Sequence, residues 1–330
     1  MDEKDKGPCW QIIGKSVRGA SHVRKGLPNQ DAICWWPKGQ RGKRVVLSVS
    51  DGHGSNECFR SRIGAHVAAK VAETISKSLL LKELTSLDIS THKSWAEENL
   101  PKEIARQWRN VVADAISKKP FTREEWKTLE MKRGTDARRR VVTNPIVAYG
   151  ATILTVLVTE FFIVFLQLGD GDILVVFENG EVMRPMPKDE RLFANETTSL
   201  CLRDSWGDFG VVFQRIDNSV PALILVSTDG YSNSFVDDKE FLKIGPDILD
   251  RLRMGGLDKV NESLESWLVD ASRQGSGDDI TLGIICRMDV LRINENSLDT
   301  EQTTSKDPGV PDNPGDLNPF SGAFADKSIE

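Results

Sequence analysis

Val45-Val46-Leu47-Ser48-Val49-Ser50-Asp51-Gly52-His53-Gly54 is a run of strand-forming residues that stops on an Asp-Gly pair. Two later runs stop the same way: Phe161 to Leu168 before Gly169-Asp170-Gly171, and Ala222 to Ser227 before Thr228-Asp229-Gly230. A fourth acidic group, Asp278-Asp279, immediately precedes the apolar run Ile280 to Ile285. Strands that end or begin in carboxylates can aim them at one point. Clustered carboxylates repel unless a cation joins them, so this pattern points to a hard divalent metal held by oxygen. Composition alone yields about two Asp-Gly pairs, and most such pairs mark turns. What exceeds that expectation is their position: each follows a strand of buried type, where a surface turn needs no carboxylate.

Working outward, Trp10 to Val17 and Ala32 to Trp36 read as short strands, and Val45 to Ser50 as a buried central one. After Gly54 the period becomes helical, with Ile63, Val67, Val71, Ile75 and Leu79 four apart and Ser55 or Asn56 as N-cap. The first carboxylate therefore sits on a strand-to-helix turn. Residues from about 85 to 145 read as a helical insertion with a flexible basic end, because Leu100, Ile104, Trp108, Val111 and Ala115 keep helical spacing. Ala151 to Val158 and Phe161 to Leu168 form a hairpin about Thr159-Glu160. Ile173 to Phe177, turning at Asn179-Gly180 into Glu181 to Met186, extends it into an antiparallel meander. Val211 to Ile216 and Ala222 to Ser227 are further strands, Phe241 to Ser272 is helical, and Ile280 to Arg287 closes the sheet. From Asn294 onward, four prolines and few aliphatic residues give the composition of a disordered, acidic tail. The expected organisation is one catalytic domain over 1–290 and a tail over 291–330.

The 330 residues are 39% hydrophobic and 28% charged with a net charge of -6, which fits a globular protein and argues against a nucleic-acid partner. The basic cluster Lys132, Arg133, Arg138, Arg139 and Arg140 reads as a solvated face. Five cysteines without a Cys-x-x-Cys spacing indicate neither a disulfide framework nor a zinc site. With no apolar leader and no run of membrane-spanning length, the expectation is a cytoplasmic protein away from membranes. A Gly-x-x-x-x-Gly-Lys phosphate loop is absent, which argues against nucleotide hydrolysis by that route. Cys58, at the predicted helix start, reads as a buried, inert thiol, and the eight tryptophans as packing residues.

The ordered series Asn29-Gln30-Asp31-Ala32, Asp51-Gly52-His53-Gly54, Gly150-Ala151-Thr152, Gly169-Asp170-Gly171-Asp172, Ser227-Thr228-Asp229-Gly230 and Gly277-Asp278-Asp279-Ile280-Thr281 resembles the PP2C (PPM) family of metal-dependent protein serine/threonine phosphatases, in its bacterial-type branch. The resemblance implies an α+β fold, a four-layer αββα sandwich of two antiparallel sheets flanked by helices. It also implies two Mn2+ or Mg2+ ions at one end of the sandwich, with a third, weaker ion. By that resemblance Asp51 bridges both metals, the carbonyl of Gly52 binds the second, and Asp229 and Asp278 complete the first. Asp31 would orient metal-bound water, Asp170 would serve the weaker ion, and Asp279 would stand behind these ligands. His53 becomes the candidate general acid for the departing serine or threonine oxygen.

Two positions depart from the family pattern. Gln30 stands where the family has a glutamate ligand of the second metal, and an amide oxygen binds a divalent ion without supplying charge. The family's phosphate-binding arginine aligns with Gly26, leaving Arg24 and Lys25, or His22 and Arg18, to meet the phosphate. The implied activity is hydrolysis of phosphoserine and phosphothreonine in proteins by a monomer, with a serine/threonine kinase or its targets as partners. The alternatives are a catalytically weak phosphoprotein-binding or regulatory module and a hydrolase of small phosphoesters.

Overall fold

A computed structural model describes residues 7–39, 41–81, 89–187, 198–216 and 219–291. Ten strands form two five-stranded antiparallel sheets. One sheet runs, in spatial order, β1 (Trp10–Val17), β10 (Ile280–Arg287), β9 (Leu223–Ser227), β6 (Asp172–Val176) and β7 (Val182–Met183). The other runs β2 (Ala32–Trp36), β3 (Val45–Ser50), β4 (Ile153–Val158), β5 (Phe162–Leu168) and β8 (Gly210–Arg215). The long helices are α2 (Ser61–Leu80), α4 (Leu100–Lys118), α5 (Arg123–Thr143) and α8 (Ile244–Gln274), with shorter α1 (Ala20–Lys25), α3 (Ile89–Glu98), α6 (Asp229–Ser232) and α7 (Asp238–Leu242).

Three apolar clusters correspond to the three interfaces between four layers. Val45, Leu47, Val49, Leu154 and Val156 from one sheet meet Ile12, Ile173, Val175, Ile224 and Val226 from the other. The alternate residues Val46, Ile153 and Leu157 face outward onto α2 and α4. On the far side Leu174, Leu223, Leu282 and Ile284 pack against α8. Strands covered on both faces need apolar side chains at every position, which is why they read as continuous runs. Two hydroxyls within this pattern, Ser48 and Thr155, sit opposite each other and bond at 3.0 Å.

The structure corrects three local expectations. β5 and β6 do not continue one meander: β5 pairs with β8 and β6 with β9, so the chain crosses between sheets at Gly169-Asp170-Gly171. The helix after the first motif begins at Ser61 with Arg60 as N-cap residue, not at Ser55 or Asn56. Residues 58–60 instead form turns, and the Arg60 guanidinium binds Glu125, Tyr149 and the carbonyls of Lys119 and Pro120. Finally, α2 buries Gly64, Ala65, Ala68, Ala69 and Ala72, whereas Ile63 is 43% exposed. Small residues let the helix axis lie close to the sheet, where Ala65 and Ala69 meet Ala32 and Ala151.

Helices α3 to α5 occupy most of 89–143, with Leu100, Ile104 and Trp108 fully buried. The basic residues of 132–140 lie on α5, where Arg138 pairs with Glu130 and Arg140 with Glu57. The proline-containing tail lies outside the described residues. Among the described residues no helix is long and apolar enough to cross a membrane.

Candidate metal centre

All the candidate carboxylates gather at one end of the sandwich. Asp51 leaves β3 with its backbone still in register: its N–H donates to Thr152 Oγ1 at 3.0 Å, and its carbonyl accepts Thr152 N–H at 2.8 Å. Gly52 then passes so close to the carbonyls of Gln30 and Ser61 that a Cβ would lie 2.6 and 2.8 Å from them, which requires glycine. Asp170 comes from the crossing between sheets, and Asp229 opens α6 at the end of β9. One oxygen from each of Asp51, Asp170 and Asp229 lies within 4.8 Å of the other two.

Asp31, at the edge of β2, is 3% exposed and accepts two hydroxyl hydrogen bonds on Oδ2, from Thr228 and Thr281, both at 2.8 Å. Asp279 is equally buried and ties three segments together. It accepts the N–H of Gly19 at 2.6 Å, the N–H of Gln30 at 2.7 Å and the imidazole Nδ1 of His22 at 2.8 Å. Asp278 beside it is half exposed. Gln30 donates from Nε2 to Ser61 Oγ at 2.7 Å, while its Oε1 is fully buried with no hydrogen-bond partner. A cavity of about 210 Å3 opens among Lys25, Gln30, Asp51, Gly54 and Asp278.

The electrostatics are those of crowded, buried carboxylates. Burial, then the charges of Asp31, Asp229, Asp278 and Asp170, push the Asp51 carboxyl well above its ordinary value. Burial followed by Asp170 and Asp278 raises Asp229 to about 7. Asp31 is raised by burial and by Asp279, with the Thr228 and Thr281 hydroxyls opposing. A divalent cation would reverse each of these effects, because it favours the charged form of every neighbouring carboxylate. The donor set of carboxylates plus an orphaned amide oxygen fits such an ion.

The structure thus draws together Asp51, Asp170 and Asp229, sets Gln30, Gly52, Asp278 and Lys25 around the adjoining cavity, and seats Asp31 behind them. Arg24 and Arg18 are exposed and absent from the cavity wall, the Arg24 guanidinium lying toward Gly277. His53 is not on that wall either. Its N–H donates to Gly150 at 3.1 Å, its ring lies against Gly150, and burial lowers its pKa against the opposing charge of Asp170. Cys58 is buried nearby, its thiol pushed up to about 12.

Sequence reasoning missed the supports: Thr228, Thr281, Ser61 and the His22–Asp279 pair. Thr228 and Thr281 stand inside the quoted motifs, so their spacing was visible, but a hydroxyl's partner is decided by strand pairing. A wider groove of about 1340 Å3 lies at the opposite end of the sandwich. There the Arg287 guanidinium is engaged by Glu178, Asp289 and the carbonyls of Val220 and Pro221, and no carboxylate cluster forms among the described residues.

The family model described as protein phosphatase 2C matches residues 18–269. The chain belongs to the protein phosphatase 2C family. Among solved structures it is similar to PppA of Pseudomonas aeruginosa, described as a key regulatory component of T6SS, with 14% identity and a TM-score of 0.51 over 84% of this chain and 97% of that one. It is also similar to the serine/threonine phosphatase Stp1 of Staphylococcus aureus, with 15% identity and a TM-score of 0.50 over 84% and 94% of the two chains. At these identities the likeness speaks for the fold: two antiparallel sheets with flanking helices, the serine/threonine phosphatase fold of the 2C family. No curated protein sequence matches the chain.

Proposed function

We propose that the chain is a divalent-metal-dependent phosphatase acting on phosphoserine and phosphothreonine in proteins. The observation that carries this reading is the convergence of Asp51, Asp170 and Asp229 from three separate strand ends beside a cavity that also presents Lys25. Asp51, Asp170 and Asp229 would hold one ion, and Gly52 and Gln30, joined by Asp278 because of its place on the cavity wall rather than by the family assignment, would hold a second. Two such ions supply a lowered pKa for water and neutralisation of the phosphoryl oxygens.

The chain's own residues do the rest. Asp31, fixed by two hydroxyls, is a rigid acceptor behind the nucleophile's position. Lys25 offers a mobile point charge to the phosphate in place of a bidentate arginine fork, giving attraction with less orientation. His53, two residues from Asp51 though not on the cavity wall, would donate the proton that the departing serine or threonine oxygen requires; burial lowers its pKa and the charge of Asp170 opposes that shift.

The test is release of phosphate from a phosphothreonine peptide across Mn2+ and Mg2+ titrations. Turnover that requires the metal supports the assignment; no turnover at any concentration of either ion removes it. A specific observation favours a second reading, a phosphoprotein-binding module: Gln30 brings no charge where the family has a glutamate. Tight binding of the same peptide without turnover would decide for it.

A further inference from the structure

Beside the candidate ligands carried by the family motifs, one of the supporting side chains has an unusual setting. His22, on α1, is 8% exposed and forms part of the cavity wall. Its Nδ1 meets Asp279 Oδ2 at 2.8 Å. Asp279 already accepts two backbone N–H groups, so it acts as a carboxylate acceptor and its bond to His22 needs a hydrogen on Nδ1, which in the neutral ring leaves Nε2 bare. The other ring nitrogen, Nε2, then presents its lone pair. It has no hydrogen-bond partner among the described residues and faces Asp278 Oδ1 across 3.7 Å.

Two acceptors facing each other in a shared cavity are unfavourable unless a positive charge, a proton on Nε2 or a metal cation, lies between them. The separation is too long for a hydrogen bond, whereas it is within the reach of two coordination bonds of about 2.1 Å each. A second polar atom in the same wall is equally unsatisfied: Gln30 Oε1, buried and unpartnered. The arrangement of carboxylate, Nδ1–H and free Nε2 is the one that metal-binding histidines adopt, the carboxylate fixing tautomer and ring plane.

We propose that His22 Nε2 and Asp278 Oδ1 are paired ligands of a divalent cation, with Asp279 orienting the imidazole. The site is a mixed nitrogen and oxygen one. A nitrogen donor disfavours Mg2+, which prefers all-oxygen surroundings, and Mn2+, a transition ion though the weakest of its series, tolerates it better, so the substitution of His22 should affect Mn2+ more than Mg2+. The imidazole also supplies a strong neutral donor beside Gln30, where the family's glutamate charge is missing. The proposal rests on the centre binding divalent cations and is independent of turnover.

The experiment is pulsed electron paramagnetic resonance of Mn2+ bound to the full chain, reading the modulation from a directly coordinated nitrogen, together with Mn2+ and Mg2+ titrations by calorimetry. His22→Asn keeps a donor for Asp279 but lacks the distal nitrogen. The expected result is a nitrogen modulation in the parent protein that disappears in His22→Asn, with Mn2+ affinity falling by about 10- to 100-fold and Mg2+ affinity changing far less. Equal modulation and equal Mn2+ affinity in the two proteins would overturn the proposal and leave His22 as an ordinary partner of two aspartates. If His22→Asn does not fold, as judged by circular dichroism, His22→Gln takes its place, and persistence of the nitrogen signal in that variant overturns the proposal equally. Loss of the signal with no phosphatase activity in either protein supports the ligand and rejects only the enzymatic reading.

Discussion

The carboxyl of Asp229 shows how much the site depends on a cation. Its ordinary value is 3.8, and burial with its acidic neighbours raises it to about 7. A group whose folded pKa is raised stabilises the fold while protonated, below its unfolded value, and loses that contribution as pH rises through the folded value. Metal-free protein is therefore expected to lose several degrees of melting temperature between about pH 4 and pH 7. Asp229→Asn should flatten that slope and melt no lower than the parent above pH 7, while abolishing turnover; thermal melts in chelator at several pH values check it. Gln30→Glu is expected to lower the Mn2+ concentration for half-maximal activity by about tenfold, since ligand charge sets affinity at oxygen sites. An unshifted midpoint in a metal titration would place Gln30 outside the coordination shell. At this scale the sequence was informative about acids and poor about cations. Asp51 and Asp229 are marked by the strands they end, whereas Lys25 and Arg24 are adjacent letters on one short helix. Which of them faces the cavity depends on how α1 docks, and no local pattern encodes that.

Among elements, the contact of α4 with α2 is the most demanding. Trp108 is fully buried and its indole N–H donates to the carbonyl of Gly64 at 2.9 Å. A Cβ on Gly64 would lie 1.8 Å from the carbonyl oxygen of Tyr149, so no side chain fits there. Trp108→Phe is expected to cost about 1–3 kcal/mol, from the lost indole hydrogen bond and the buried volume its second ring fills, read as a lower urea midpoint. Gly64→Ala should cost more, with backbone forced to move, and a midpoint within experimental error of the parent would contradict the packing. Element boundaries were legible wherever a strand is covered on both faces, as at Val45–Ser50 and Ile280–Arg287, because uniform apolarity leaves no register to mistake. The failures share a cause in tertiary pairing. A hairpin and a crossing between sheets have the same local signature of strand, Gly-Asp-Gly and strand, and only the partners β8 and β9 distinguish them. The four-apart stripe on α2 holds at Val71 and Leu79, which are buried, and fails at Ile63, because small residues make the face that lies closest to the sheet.

For the whole molecule, a ligand that binds only the folded state stabilises it by mass action. Divalent ion at a hundredfold excess over its dissociation constant is expected to add about 2.7 kcal/mol per site, and Asp51→Asn should abolish the gain; melting curves with and without Mn2+ measure it. The candidate site draws its acids from Asp31 to Asp278, so no half of the chain contains it. The pairing of β1 with β10 along eight residues of each sharpens this point. Among the described strands β1 is made first and its sheet neighbour β10 last, so the edge of β9 and that of β1 stay open until Arg287 has emerged. A nascent chain in that state has neither a closed sheet nor Asp278 and Asp279 in place. A phosphatase built this way would stay silent while it is being made, and chains interrupted before the last strand would reach the cell without the ability to strip phosphate from anything.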